Sequence, residues 1–252
     1  MTEESASYSS SGVRIADDYR DNLIVDRYDG CFATMRESKK KHLRSENSED
    51  ALSWNVFRSL CHIEPEKWLG MLANKAFGDS LPGQPNESTI QLWKDVPPPP
   101  ALLITGDEGI SEIDIVLENP EWVWFIEAKY KSDISERTTT RPTRDQILRN
   151  IDVGSYYAGV RSFYFSLLCV SSALSPKGIV AVDKYRDPDV LKTHLPHRTD
   201  DLSNIRGVGT LFWADIAEIM KTAASCSGRS DEAIFAERAV TWMEAKGVTR
   251  TD

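Results

Sequence analysis

At 252 residues the chain is long enough to bury a full core, as one α/β domain with additions or one domain with a small satellite. A hydrophobic fraction of 40% fits a globular protein, and a net charge of -9 argues against one that coats nucleic acid without specificity. The longest apolar run, residues 163–170, is strand-sized and far short of the roughly 18 residues of a membrane span, so no membrane partner is expected.

Residues 1–12, MTEESASYSSSG, are polar and Ser-rich and predict disorder; with no basic start and no apolar core they predict no secretory signal and a cytoplasmic protein. Residues 13–28 read as a short helix or a packing arm, followed by the basic run Arg36, Lys39, Lys40, Lys41 and Arg44. From Ser45 the pattern turns helical, with Leu52, Val56, Leu60 and Ile63 on one stripe and Ser45 or Ser48 as N-cap. Glu46 and Glu49 then fall in the first turn, where the helix dipole favours carboxylates, and Glu49 continues the apolar stripe inward.

Residues 66–77 predict a second helix closed by Gly78, and 79–100 a loop whose Pro97 to Pro100 run is extended, with a short edge strand at 90–93. Leu102 to Thr105 read as a strand and Gly106 to Gly109 as a turn. After the central hairpin described below, 131–142 is a polar loop, 144–157 a helix with Ile147, Leu148 and Ile151 inward, 162–170 and 178–182 strands, and 183–204 a polar excursion. A strand at 207–213 and helices at 214–224 and 231–246 finish the chain.

Cys31, Cys61, Cys169 and Cys226 are scattered and suggest neither zinc nor a disulfide framework, and His194 and His197 lie in a loop without recognisable partner ligands. Lys129, Lys131, Arg137, Arg141, Arg144 and Arg149 form a second basic set that can face a phosphate backbone or simply solvent.

The informative stretch is SEIDIVLENPEWVWFIEAKY, residues 111–130. Two β-prone runs flank an Asn119-Pro120 turn, so the segment predicts an antiparallel hairpin. Such a hairpin brings Asp114 beside Glu127 across the strands, with Glu127 and Lys129 on one face and Trp124, Ile126 and Ala128 on the other. Hard divalent cations such as Mg²⁺ take one or two carboxylates and leave room for water and phosphate, so Asp114 and Glu127, with the Ala128 carbonyl, form a candidate ligand set. Lys129 is placed to hold a nucleophile or to offset developing negative charge.

At Asp114 and Glu127-Ala128-Lys129 the chain resembles the PD-(D/E)XK nuclease superfamily, with Ile113 where that family has proline. The resemblance implies an α/β (α+β) restriction-endonuclease-like fold, a mixed central sheet flanked by helices. It places an N-terminal arm at 1–44, partly disordered, and the nuclease domain with a C-terminal elaboration at 45–252. It also implies a Mg²⁺-dependent nuclease, with Mn²⁺ as a substitute, acting on double-stranded DNA as an endonuclease of prokaryotic restriction or defence type. In that family a glutamate on the preceding helix completes the metal or water shell, which points to Glu49 and then Glu46. A Gln on the helix after the lysine strand approaches the site, which matches Gln146. A homodimer would suit duplex cleavage. The competing readings are an inactive scaffold or nucleic-acid-binding module on the same fold, and an RNase or exonuclease using the same site.

Overall fold

The computed structural model describes residues 7–104, 108–137 and 144–250. In chain order these form β1 (Ser7–Tyr8), β2 (Arg14–Ile15), α1 (Cys31–Thr34), α2 (Glu37–Leu43), α3 (Glu49–Leu60), α4 (Leu69–Phe77), β3 (Thr89–Val96), α5 (Pro100–Ile104), β4 (Ser111–Glu118) and β5 (Trp122–Ala128). There follow α6 (Gln146–Ala158), β6 (Ser162–Cys169), α7 (Pro176–Tyr185), α8 (Pro188–His194), β7 (Ile205–Phe212), α9 (Trp213–Cys226) and α10 (Ser230–Ala245).

A five-stranded sheet of order β3-β4-β5-β6-β7 is mixed: β3, β4 and β5 run antiparallel, and β5, β6 and β7 run parallel. The parallel half needs crossover connections, and α6 supplies one between β5 and β6. Side chains alternate across β5, so Trp124, Ile126 and Ala128 join α3, α4, α9 and α10 on one face of the sheet. Val123 and Phe125 meet α6 and α7 on the other. A strand covered on both faces reads as a continuous apolar run, which is why WVWFI shows no polar alternation. Each fully buried side chain of this kind, such as Phe125 or Ile126, contributes about 1.5–3 kcal/mol.

The hairpin follows from its turn. Asn119 Oδ1 accepts from the amides of Glu121 at 2.8 Å and Trp122 at 2.9 Å, closing the chain over Pro120, and β4 pairs with β5 from Glu118↔Val123 to Ile115↔Ile126. The helix at Ser45 starts later than its first candidate cap: Ser48 Oγ accepts from the Ala51 amide at 3.0 Å, and Glu49 and Asp50 occupy the first turn. Gly78 ends α4 at φ 71°, in the left-handed conformation that glycine adopts without penalty.

Several expectations fail for physical reasons. Residues 178–182 are helical within α7, not a strand: Pro176 suits a first helical turn, and Asp133 of the preceding loop accepts from the amides of Lys177 at 2.9 Å and Gly178 at 3.0 Å, capping the helix from a distance in sequence. The strand expected from Leu102 to Thr105 is instead α5 through Ile104, which Pro100 opens, so the Pro97 to Pro100 run is not wholly extended; 105–107 lie outside the described residues. The short edge strand at 90–93 is the longer β3, kinked where Trp93 takes φ 56°. The 183–204 excursion contains α8.

The expected disorder at 1–12 lies outside the described residues for 1–6, whereas Ser7–Tyr8 pairs with β2. The arm shares a core with the domain: Leu23, Phe32 and Leu43 pack with Ala51 and Trp54 of α3. Among the described residues no helix is long and apolar enough to cross a membrane.

Candidate active site

The site lies where β4 and β5 reach the same end of the sheet. Asp114 sits one step beyond the paired Ile115, and its Oδ2 accepts from the Ala128 amide at 2.9 Å. This contact fixes its carboxyl beside Glu127. Glu127 and Lys129 point to the α6 side, and both are buried, at 2% and 6% exposure, which is rare for such residues without partners.

Glu127 accepts from three donors, two on Oε1 and one on Oε2, which leaves Oε2 a free lone pair. Its Oε1 accepts from Lys129 Nζ and Gln146 Nε2, each at 2.6 Å, and its Oε2 accepts from Asn150 Nδ2 at 2.6 Å. Asp145 caps α6 by accepting from the Leu148 amide at 2.8 Å, which sets the first turn of the helix and hence where Gln146 points. Gln146 also ties down the loop after Lys129, because its Oε1 accepts from the Ser135 amide at 3.3 Å.

Glu49 enters from α3. Its Oε2 accepts from the Tyr130 amide at 2.9 Å and from Ser132 Oγ at 3.1 Å, while Lys129 Nζ reaches its Oε1 at 3.4 Å. Lys129 is further fixed by its own backbone: its amide donates to Leu168 O at 2.7 Å, and its carbonyl accepts from Trp213 Nε1 at 3.0 Å.

Three carboxylates therefore surround one ammonium. Burial, and then the charge of Glu127, push the Asp114 carboxyl well above its usual range despite Lys129 and the Ala128 amide. Burial likewise raises Glu49. Burial alone would lower Lys129, but Glu127, Glu49 and Asp114 hold it above the ordinary lysine value, so it is an ammonium at neutral pH. Three carboxyl groups set against one ammonium give the cluster an excess of acidic groups that a proton or a cation would offset. Among the described residues no group of three or more His, Cys, Asp or Glu is arranged to hold a metal ion by itself. Asp114 and Glu127 set two carboxyl groups side by side, the number that Mg²⁺ usually takes from a protein while water and phosphate oxygens complete its shell.

Of the residues singled out in the sequence, the structure brings together Asp114, Glu127, Ala128, Lys129, Glu49 and Gln146. Glu46 is not among them. Its Oε1 accepts from the Arg14 amide at 3.1 Å, because the helix begins at Glu49 and leaves Glu46 in the preceding turn against the arm. Asn150 was missed as a site residue. The signal was available: it stands four residues after Gln146 on a helix, which places both amides on one face.

The basic sets are largely consumed internally. Arg144 is buried and donates to Asp152 Oδ2 at 2.8 Å; Arg149 donates to the carbonyls of Gly109 and Ile110; Arg36 and Lys39 pair with Glu112; Arg141 lies outside the described residues. His197 is structural, with Nε2 at 2.8 Å from Asp152 Oδ2.

No protein-family model matches the chain, and neither a curated protein nor a solved structure matches it significantly.

Proposed function

We propose that this protein is a divalent-metal-dependent phosphodiesterase of the nuclease type, built on a restriction-endonuclease-like core. Its proposed substrate is double-stranded DNA and its proposed role restriction or defence. The observation that carries this reading is the pairing of half-buried Asp114 with buried Glu127 on adjacent strands, with the Lys129 ammonium 2.6 Å from Glu127.

Mg²⁺ or Mn²⁺, held by Asp114, Glu127 and the Ala128 carbonyl, would neutralise charge on the phosphoryl group and lower the pKa of a bound water. The reaction is hydrolysis: a water oxygen bonds to phosphorus, the bond from phosphorus to one sugar oxygen breaks, and the proton lost by the water balances the one gained by the leaving oxygen. Lys129, held as an ammonium, is a donor and not a base. It orients the attacking oxygen and offsets charge growing on the phosphoryl oxygens. Gln146 and Asn150 keep Glu127 from turning away, and Glu49 anchors the Tyr130–Ser132 backbone that follows the lysine. Burial of Glu127 and Lys129 keeps their charges in a low-dielectric setting, where each is worth more than in water.

The test is incubation with supercoiled plasmid and Mg²⁺ or Mn²⁺, beside EDTA and Lys129→Ala. Nicking that needs metal and falls about 10²–10³-fold in the variant is expected. No cleavage of any DNA or RNA, together with no metal binding, would leave a nucleic-acid-binding scaffold as the better reading.

A further inference from the structure

Beside the carboxylate cluster lies a groove of about 890 Å³, lined by Val170, Ser171, Leu174, Lys246, Thr249 and Arg250 among others. It borders the site directly. Tyr130, the residue after Lys129, donates its hydroxyl proton to the Lys246 carbonyl at 3.0 Å, and Ser175 Oγ donates to Ser132 O at 3.3 Å.

Three basic residues from remote segments meet beside the groove at residues 46–47: Arg14 of β2, whose backbone amide and carbonyl bond Glu46, Lys131 beyond β5, and Lys246 at the C-cap of α10, which lines the groove. Lys246 Nζ donates to the Glu46 carbonyl at 2.7 Å, and Lys131 Nζ to Asn47 Oδ1 at 2.7 Å, so neutral oxygens hold both. Several other lysines are paired with acids: Lys177 with Glu136, Lys94 with Glu118 and Lys75 with Asp215. Burial depresses the Lys246 ammonium; the Glu46 carboxylate pulls it back up, and Lys131 and Arg14 add smaller depressions. The hydrogen bonds of Lys131 and Lys246 go to neutral oxygens, which leaves their charge available to a ligand anion. These cations would assist a polyanion laid across the cluster, where its phosphates otherwise meet three carboxyl groups and the single ammonium of Lys129.

We infer that Arg14, Lys131 and Lys246 form a subsite for a backbone phosphate flanking the one that is cleaved, so that the C-terminal end of α10 lines the substrate track. The inference rests on the nuclease reading and names the path the nucleic acid takes. Ser171 and Thr249 on the same groove offer hydroxyl donors to phosphate oxygens.

The test is fluorescence anisotropy of a labelled DNA duplex in EDTA across a salt series, so that binding is read without chemistry. Lys131→Gln and Lys246→Gln keep a hydrogen-bond donor and remove the charge; Lys75→Ala, on α4, is the control. Each Gln variant is expected to flatten the plot of log affinity against log salt by about one unit and to weaken binding about tenfold near 0.1 M salt. The control is expected to match wild type. Unchanged slopes in both Gln variants of native melting temperature, or no wild-type binding to duplex, single strand or RNA, would overturn the subsite. The plasmid assay decides the nuclease reading separately: metal-dependent cleavage with unchanged slopes sinks the subsite alone.

Discussion

Asn150 donates to Oε2 of Glu127 at 2.6 Å, one helical turn beyond the Gln146 that holds Oε1. The carboxylate is thus gripped on both oxygens by amides of a single helix, and its orientation is a property of α6 as much as of β5. Asn150→Ala removes one of these partners and leaves a buried anionic oxygen short of a donor, at a cost of about 1–3 kcal/mol in stability. Metal affinity or turnover should fall about 10–100-fold, as when a residue that orients a metal ligand is lost. Metal titration of cleavage rate checks this. A variant with wild-type metal dependence would show that α6 does not orient Glu127.

Asp114 sets a pH dependence of opposite sign to the usual carboxylate. Its folded pKa lies above the unfolded value of about 3.9, so the folded protein binds the extra proton. The stability this confers is complete below the unfolded value and is lost as pH rises through the folded one. Glu49, also raised, acts in the same direction. In EDTA the melting temperature should rise as pH falls from about 7 to about 5. Asp114→Asn, which can still accept from the Ala128 amide, should reduce that dependence and raise the melting temperature at neutral pH by about 2–4 °C, equivalent to about 1 kcal/mol. Calorimetric melting at several pH values reads both effects, and a destabilised Asp114→Asn would contradict the account.

The hairpin was legible because its signals are local: an Asn-Pro turn between β-prone runs, with polar residues at register positions that meet across the strands. Gln146 was singled out by the family resemblance alone, and the helix carrying it begins at Gln146 and not at Arg144, because Asp145 is its cap. The α7 helix was not legible, because its cap comes from Asp133, far back in the chain, while Gly178 to Val182 taken alone favours a strand. Glu46 and Glu49 could not be separated until Ser48 was seen to be the cap, a choice that shifts the first helical residue and turns Glu46 toward the arm. The basic residues misled in the same way: Arg144 is indistinguishable by type from a surface arginine, yet it is buried against Asp152.

That buried arrangement carries its own expectation. Asp152 accepts from Arg144, from His197 and, through Oδ1, from Arg198 Nη1 at 3.0 Å, so the residue 195–204 region is tied to α6. Burial would raise its carboxyl, but the His197 hydrogen bond and the Arg144 charge hold it below the ordinary value. Its stabilisation is present above the unfolded pKa, about 3.9, and is lost only as pH falls through the depressed one. Asp152→Ala removes the acceptor that Arg144, His197 and Arg198 share, leaves Arg144 with Glu108 at 3.4 Å and Arg198 with Asp200 at 2.6 Å, and should cost about 1–3 kcal/mol. Urea unfolding at neutral pH measures it, and a loss below about 1 kcal/mol would show that the cluster is not a structural tie.

The central claim is that Asp114 and Glu127 form a divalent-cation site, and calorimetric titration of Mg²⁺ and Mn²⁺ into wild type, Asp114→Asn and Glu127→Gln tests it most directly. Saturable binding to wild type, lost in both variants while their folds persist, is the predicted result. Binding of equal strength in Asp114→Asn, or none in wild type, would contradict it.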